Sequence, residues 1–141
     1  MEHESSFLVV VGVDGSPESV TALRWAVDEA RVRHGRVRLI TSWSYPPRTI
    51  DIDGGFIDDR SERGAERMQA SALAAVPSEG VDVTGHVVQG PPASVLLDAA
   101  APADLLIVGS RGLGGFSGLL LGSVSSQLVH HASCPVLVIR S

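Results

Sequence analysis

Residues 104–140 read DLLIVGSRGLGGFSGLLLGSVSSQLVHHASCPVLVIR, and this stretch decides the fold. It opens on an apolar run, DLLIV (104–108), and closes on another, CPVLVI (134–139). Short apolar runs without alternation mark strands buried on both faces of a parallel sheet. Between them lies a glycine-rich segment, then a helical pattern from about residue 123 to 132. Strand, crossover helix and strand make one β-α-β unit. Residues 109–123 hold six glycines in fifteen positions, far more bare backbone than a connection needs.

Working outward, the same alternation recurs. FLVVVGV (7–13) is a further apolar strand. Ser16 suits an N-cap and Pro17 the first helical position. Val20, Leu23, Val27 and Ala30 follow at helical spacing, and Gly35 ends the helix. VRLITSW (37–43) reads as a strand, and 44–57, with two prolines and two glycines, as a loop. The spacing predicts a helix over about 58–76, with Ala65, Met68, Ala72 and Val76 on one face. DVTGHVV (82–88) alternates weakly, as an edge strand does, and Pro91-Pro92 starts a short helix that stops near Pro102. The order β-α-β-α-β-α-β-α-β predicts an α/β fold, an open parallel sheet with helices on both faces.

The chain has 141 residues, which suits one domain over 1–141, with 1–6 as a mobile N-terminal end. Its single cysteine, Cys134, allows no internal disulfide. MEHESS followed by seven apolar residues is neither a secretory signal nor a membrane span, so a soluble cytoplasmic protein without a membrane role is expected. The net charge of −5 disfavours nucleic acid as a partner. All eleven basic residues are arginine; without lysine, a Walker-type P-loop and a lysine Schiff base are excluded.

In open parallel sheets, ligands bind beyond the carboxyl ends of the strands, where the strand order reverses. Two unusual segments follow apolar strands: Gly12-Val13-Asp14-Gly15-Ser16 and the glycine-rich stretch. Gly109 and Gly112 remove side chains where a ligand can approach the main chain. Gly122-Ser123-Val124 begin a helix, where unpaired N–H groups and the dipole favour an anion such as phosphate. Ser123 adds a hydroxyl, and equally suits an ordinary N-cap. On spacing alone, a flexible surface loop explains the glycines as well as a phosphate cradle does.

Gly109-x2-Gly112-x9-Gly122-Ser123 resembles the G-2x-G-9x-G-S/T motif of the ATP-binding branch of the universal stress protein family. VVVGVDGSPES is similar to that family's opening strand and loop, and HASCPVLVIR to its closing passage, so the resemblance covers nearly the whole chain. It implies a Rossmann-like, adenine nucleotide alpha hydrolase-like sheet ordered 3-2-1-4-5. It implies that Asp14 and main-chain groups at Ser42 hold the adenine and ribose side, with Gly12 and Val13 lining the site. Val108 and Gly109 would lie near the ribose, and Gly112, Gly122, Ser123 and Val124 would hold phosphates through N–H groups. ATP would carry Mg2+ or Mn2+ on its phosphates, with no protein metal ligands and no catalytic residue. The family often ends the second strand with His and a small apolar residue; here Thr41-Ser42 stands there, a swap that main-chain contact tolerates. Arg111 is within the loop, a phosphate contact or a solvated charge.

The remaining polar residues read as structural. His130-His131 complement a helix C-terminus, His86 lies on an edge strand and His3 in the mobile end. Asp51, Asp53, Asp58 and Asp59 gather at a Gly-Gly turn, but Gly55 breaks the calcium-loop template. Cys134 reads as a small core residue, Trp25 as partly exposed, and Trp43 and Tyr45 as core or site wall. The last strand is apolar on both faces, yet the implied order puts it at an edge, so a homodimer through 135–140 is expected. The functional expectation is an ATP-binding, nucleotide-dependent regulatory or sensing module of a stress response, with at most slow hydrolysis. The alternatives are an interaction module binding no nucleotide, or AMP or cyclic AMP, and a weak ATPase. A flavodoxin-like carrier or phospho-receiver is disfavoured, because the hydroxyl-rich loop of the one and the acidic cluster and lysine of the other are missing.

Overall fold

Leu8, Val9, Val10 and Val11 are buried without a break, because helices cover both faces of the strand they form. The computed structural model describes residues 6–44, 61–110 and 122–140. Along the chain run β1 (Leu8–Gly12), α1 (Pro17–Val32), β2 (Arg36–Trp43), α2 (Glu62–Ala75), β3 (Asp82–Gln89), α3 (Pro92–Ala100), β4 (Leu105–Gly109), α4 (Ser123–His131) and β5 (Val136–Ile139). The five strands form one sheet, ordered β3-β2-β1-β4-β5, and every pairing is parallel. This is the expected α/β architecture and strand order.

Alternate residues of the central strands feed two cores. Val9, Val11, Val37, Leu39 and Ile107 pack with Leu23, Ala26 and Val27 of α1 and Ala72 of α2. On the opposite face, Val10, Ile40, Leu106 and Val108 pack with Val95 and Leu96 of α3 and Leu128 of α4. The order reverses between β1 and β4, so their carboxyl ends meet beside the N-termini of α1 and α4.

The structure departs from the sequence reading at helix ends. Ser16 caps α1 as expected, its Oγ accepting from the Ser19 N–H at 3.2 Å. At the other end, His34 takes the left-handed conformation (φ 56°), and Gly35 follows as the residue whose N–H reaches the Ala30 carbonyl at 2.7 Å. Gly35 is needed for space: a Cβ there would overlap the carbonyl oxygen of Phe7. Ser61 caps α2, its Oγ accepting from Gly64 N–H at 3.1 Å, so the helix starts later than residue 58. Its buried face is Ala65, Gln69 and Ala72, with Met68 only half-buried. Gly122, not Ser123, is the cap residue of α4; Ser123 is its first helical residue. Residues 1–5, the acidic 51–59 cluster, Tyr45 and Leu119–Leu121 lie outside the described residues. Ser6, the last residue of the expected mobile end, accepts a hydrogen bond from Arg36 Nε at 3.0 Å.

Candidate functional site

The β1–α1 turn is built by short-range hydrogen bonds. The Ser16 N–H donates to Asp14 Oδ1 at 2.9 Å, and the Asp14 N–H to Ser19 Oγ at 3.3 Å. The Ser19 hydroxyl donates in turn to the Ser16 carbonyl at 2.8 Å. One carboxylate oxygen of Asp14 therefore shapes the turn. Gly15 has φ +90°, and the sulfur of Met68 occupies the space that a Cβ there would need.

At the end of β2, the Val13 N–H donates to the Ile40 carbonyl at 3.0 Å, the last β1–β2 bond among the described residues. Residues of a parallel ladder face their two neighbours alternately. Ile40 turns to β1 and Thr41 to β3, so Ser42 turns its N–H and C=O back towards β1. The β1 strand ends at Gly12, so by this alternation the Ser42 main chain turns to the side on which Val13 and Asp14 follow β1. The Val13 side chain is buried in the α1–α2 core and Val108 in the α3–α4 core, so only their main chains border the switch point.

The β4 side is organised by Ser110, which is buried. Its N–H donates to the Ile139 carbonyl at 2.7 Å. Its carbonyl accepts from the Gly122 N–H and from Ser125 Oγ, each at 2.6 Å. Its hydroxyl donates to the Glu18 carboxylate at 3.3 Å, with Glu18 itself only 9% exposed. One residue thus ties α1, β5 and the start of α4 together. The serines and Glu18 carried no signal in the sequence, because buried polar links join residues far apart in the chain.

Two of the expected glycines have packing reasons. A Cβ on Gly109 would lie 2.9 Å from Glu18 Cβ, and one on Gly12 would lie 2.9 Å from Leu96 Cδ1. Gly122 is different: as the cap of α4 it has no side chain to satisfy the first-turn N–H groups, and Ser123 is exposed beside it. Thus Gly12, Val13, Asp14, Ser42, Val108, Gly109, Gly122, Ser123 and Val124 are gathered at the carboxyl ends of β1, β2 and β4 and at the start of α4. Gly112 and Arg111 lie outside the described residues.

The remaining polar residues fall to structural tasks. His130 Nδ1–H donates to the Ser126 carbonyl at 2.8 Å in the last turn of α4. His86 is exposed on β3, and Trp25 is 47% exposed on α1. Cys134 is half-buried, and burial, aided by the nearby Asp104 carboxylate, pushes its thiol above the usual range.

The family model described as the universal stress protein family matches residues 8–140. The chain belongs to the universal stress protein family. A universal stress protein of Mycobacterium tuberculosis is 37% identical over 135 residues, covering 94% of this chain and 48% of that protein. One of Mycolicibacterium smegmatis is 38% identical over 145 residues, 98% of this chain and 47% of its own length. The chain thus spans about half the length of the curated relatives it matches. Among solved structures, a universal stress protein from Archaeoglobus fulgidus matches with TM-score 0.73 at 26% identity, over 94% of this chain and 93% of that one. A universal stress protein in complex with cAMP matches with TM-score 0.66 at 27% identity, over 94% and 95%. This universal stress protein domain therefore shares its sheet order and helix layers with solved relatives.

Proposed function

We propose that this chain binds an adenine nucleotide at the β1–β4 switch point, with ATP as the ligand, and acts as a nucleotide-dependent regulatory module in the cytoplasm. The observation that carries the reading is that two complementary features lie at the carboxyl-end side of neighbouring strands. On one side, the ladder alternation turns the Ser42 N–H and C=O to the β1 side, where Asp14 follows, a match for the polar edge of a base. On the other, α4 starts at a glycine cap with its first-turn N–H groups unmet by any cap side chain, a match for phosphate. Asp14, Gly12 and Val13 would border the nucleoside, with Val108 and Gly109 near the ribose. Gly112, Ser123 and Val124 would hold the phosphates through their N–H groups, and Gly122, whose own N–H is engaged by the Ser110 carbonyl, would give them open approach. The matched relative in complex with cAMP supports an adenine ligand, and makes cyclic AMP or AMP the second candidate.

Mg2+ or Mn2+ would ride on the phosphate oxygens of the bound ATP. Fast phosphoryl transfer needs charge positioned on the terminal phosphate and a group that orients the nucleophile. With no lysine in the chain, hydrolysis would be slow at most. Among the described residues β5 pairs with β4 alone and leaves Val136, Leu137 and Val138 half-buried, so a second copy covering that edge forms a homodimer through 135–140. A monomer in sedimentation at micromolar concentration would remove that part of the proposal. Among the described residues no helix is long and apolar enough to cross a membrane.

The test is a thermal-shift series on nucleotide-stripped protein with ATP and Mg2+, AMP, cyclic AMP and GTP. A specific ligand at about 100 times its Kd adds about 2.7 kcal/mol of stability, very roughly 5–10 °C for a domain of this size. The expected result is such a shift with ATP, lost in Gly122→Val. No shift with any nucleotide would transfer the reading to an interaction module without a ligand.

A further inference from the structure

We propose that Gln69 of α2 is the positioning residue for base recognition, setting the selectivity for adenine over guanine; this rests on the adenine-nucleotide reading above. Gln69 lies on the buried face of α2 with Ala65 and Ala72, where an apolar side chain would need no partner. A buried amide is unfavourable unless its groups are hydrogen-bonded, and here Nε2 donates twice, to Thr41 Oγ1 at 3.1 Å and to the His86 carbonyl at 3.0 Å. Its Oε1 lies where a Cβ on Gly85 of β3 would stand, so the neighbouring strand carries no side chain at that point. Thr41 is buried and immediately precedes Ser42. The amide therefore pins the last buried residue of β2 and the adjoining β3 carbonyl, one residue before the main chain that faces the site.

The preceding residue of the same helix reaches the opposite wall. Met68 packs its sulfur on Gly15, next to Asp14. Consecutive residues of α2 thus brace the β1–α1 turn and the end of β2, and so set the distance between Asp14 and Ser42. A main-chain N–H and C=O side by side match the ring acceptor and amino donor of adenine. Guanine presents the reverse pair, a ring N–H and a carbonyl. With the sugar held on the far side, it cannot turn over to compensate. A displaced Ser42 would then weaken adenine binding and leave guanine binding where it was.

The experiment measures AMP and GMP affinity by calorimetry for the wild-type chain, Gln69→Met and Thr41→Val, with a thermal melt of each. Gln69→Met keeps length and helix preference and removes both donors; Thr41→Val removes the same link from the strand side. The expected result is an AMP affinity about tenfold lower in Gln69→Met, the scale of one hydrogen bond's effect, with GMP unchanged. Thr41→Val should lower the AMP:GMP ratio in the same direction. A purely structural glutamine would lower the melting temperature and leave that ratio alone, which would overturn the proposal. If Gln69→Met does not fold, the ratio in Thr41→Val decides. A wild-type chain that binds AMP no better than GMP overturns the assignment of selectivity while leaving nucleotide binding intact. A wild-type chain that binds neither overturns the function proposed above, and this inference with it.

Discussion

Gly35→Ala isolates a steric requirement from a conformational one. Gly35 connects α1 to β2, and its backbone is not left-handed; His34 holds that conformation. An added methyl would overlap the Phe7 carbonyl oxygen and lie 2.8 Å from Phe7 Cβ and 3.0 Å from the Phe7 carbonyl carbon. These are atoms at the entry to β1, unable to rotate away. The same carbonyl accepts the Arg36 N–H at 2.8 Å, so pushing it aside also weakens the first link between β1 and β2. Overpacking costs about 1–3 kcal/mol and the hydrogen bond about 1 kcal/mol, together about 2–4 kcal/mol. For a chain of this size each kcal/mol lowers Tm by roughly 3–4 °C, so the melt should fall by roughly 6–16 °C. Gly80→Ala is the control: its φ is +82°, yet nothing lies within 4 Å of an added Cβ. Left-handed strain of about 1–2 kcal/mol, partly offset by a stiffer unfolded chain at about 0.4–1 kcal/mol, predicts a net loss near 1 kcal/mol. Urea unfolding followed by circular dichroism measures both. A Gly80→Ala loss equal to or above that of Gly35→Ala would refute the steric account, as would a Gly35→Ala protein within about 0.5 kcal/mol of wild type.

Leu106→Ala empties a fully buried position of β4 and should cost about 2–5 kcal/mol in the same urea assay. Gly109→Ala places a methyl 2.9 Å from Glu18 Cβ and should cost about 1–3 kcal/mol with no nucleotide present, a packing role that comparison with ligand-saturated protein separates from binding. Cys134 is raised by burial and then by Asp104, so its thiolate fraction at pH 8 is below that of a free cysteine. Alkylation should be slower than for free cysteine, and faster in Asp104→Asn. Because the folded value is the higher one, the stability linked to this thiol is complete below the unfolded value, about 8.5. It falls as pH rises through the folded value, so wild type should lose stability relative to Cys134→Ala in alkaline urea titrations.

The central strands were legible because they bury both faces: FLVVVGV and DLLIV carry short apolar runs, while VRLITSW shows Arg38, Thr41 and Ser42 among its apolar residues and CPVLVI is a half-buried edge. The Ser16-Pro17 start of α1 was equally plain, since cap chemistry is local. Terminations were harder. His34 takes the left-handed position, and Gly35 is needed for room beside Phe7, a residue distant in sequence that nothing local announces. Gln69 escaped the helical pattern because a buried amide interrupts an apolar stripe, and its partners, Thr41 and His86, belong to other strands. At the candidate site the glycine spacing and Asp14 stood out. Ser110, Ser125 and Glu18 did not, because the links among them come from the fold and not from any periodicity.

The hydrogen bond from Gly122 N–H to the Ser110 carbonyl has a consequence for how this chain can change. It joins Ser110, after β4, to Gly122, before α4, and Ser125 Oγ reinforces the same carbonyl. Closure entropy grows only slowly with length, about 0.6 kcal/mol for each doubling. The staple, not the number of residues beyond it, therefore fixes where β4 hands over to α4. That makes the position after Ser110 a natural grafting point: segments of different length and chemistry can be exchanged there while the sheet and both flanking elements keep their places.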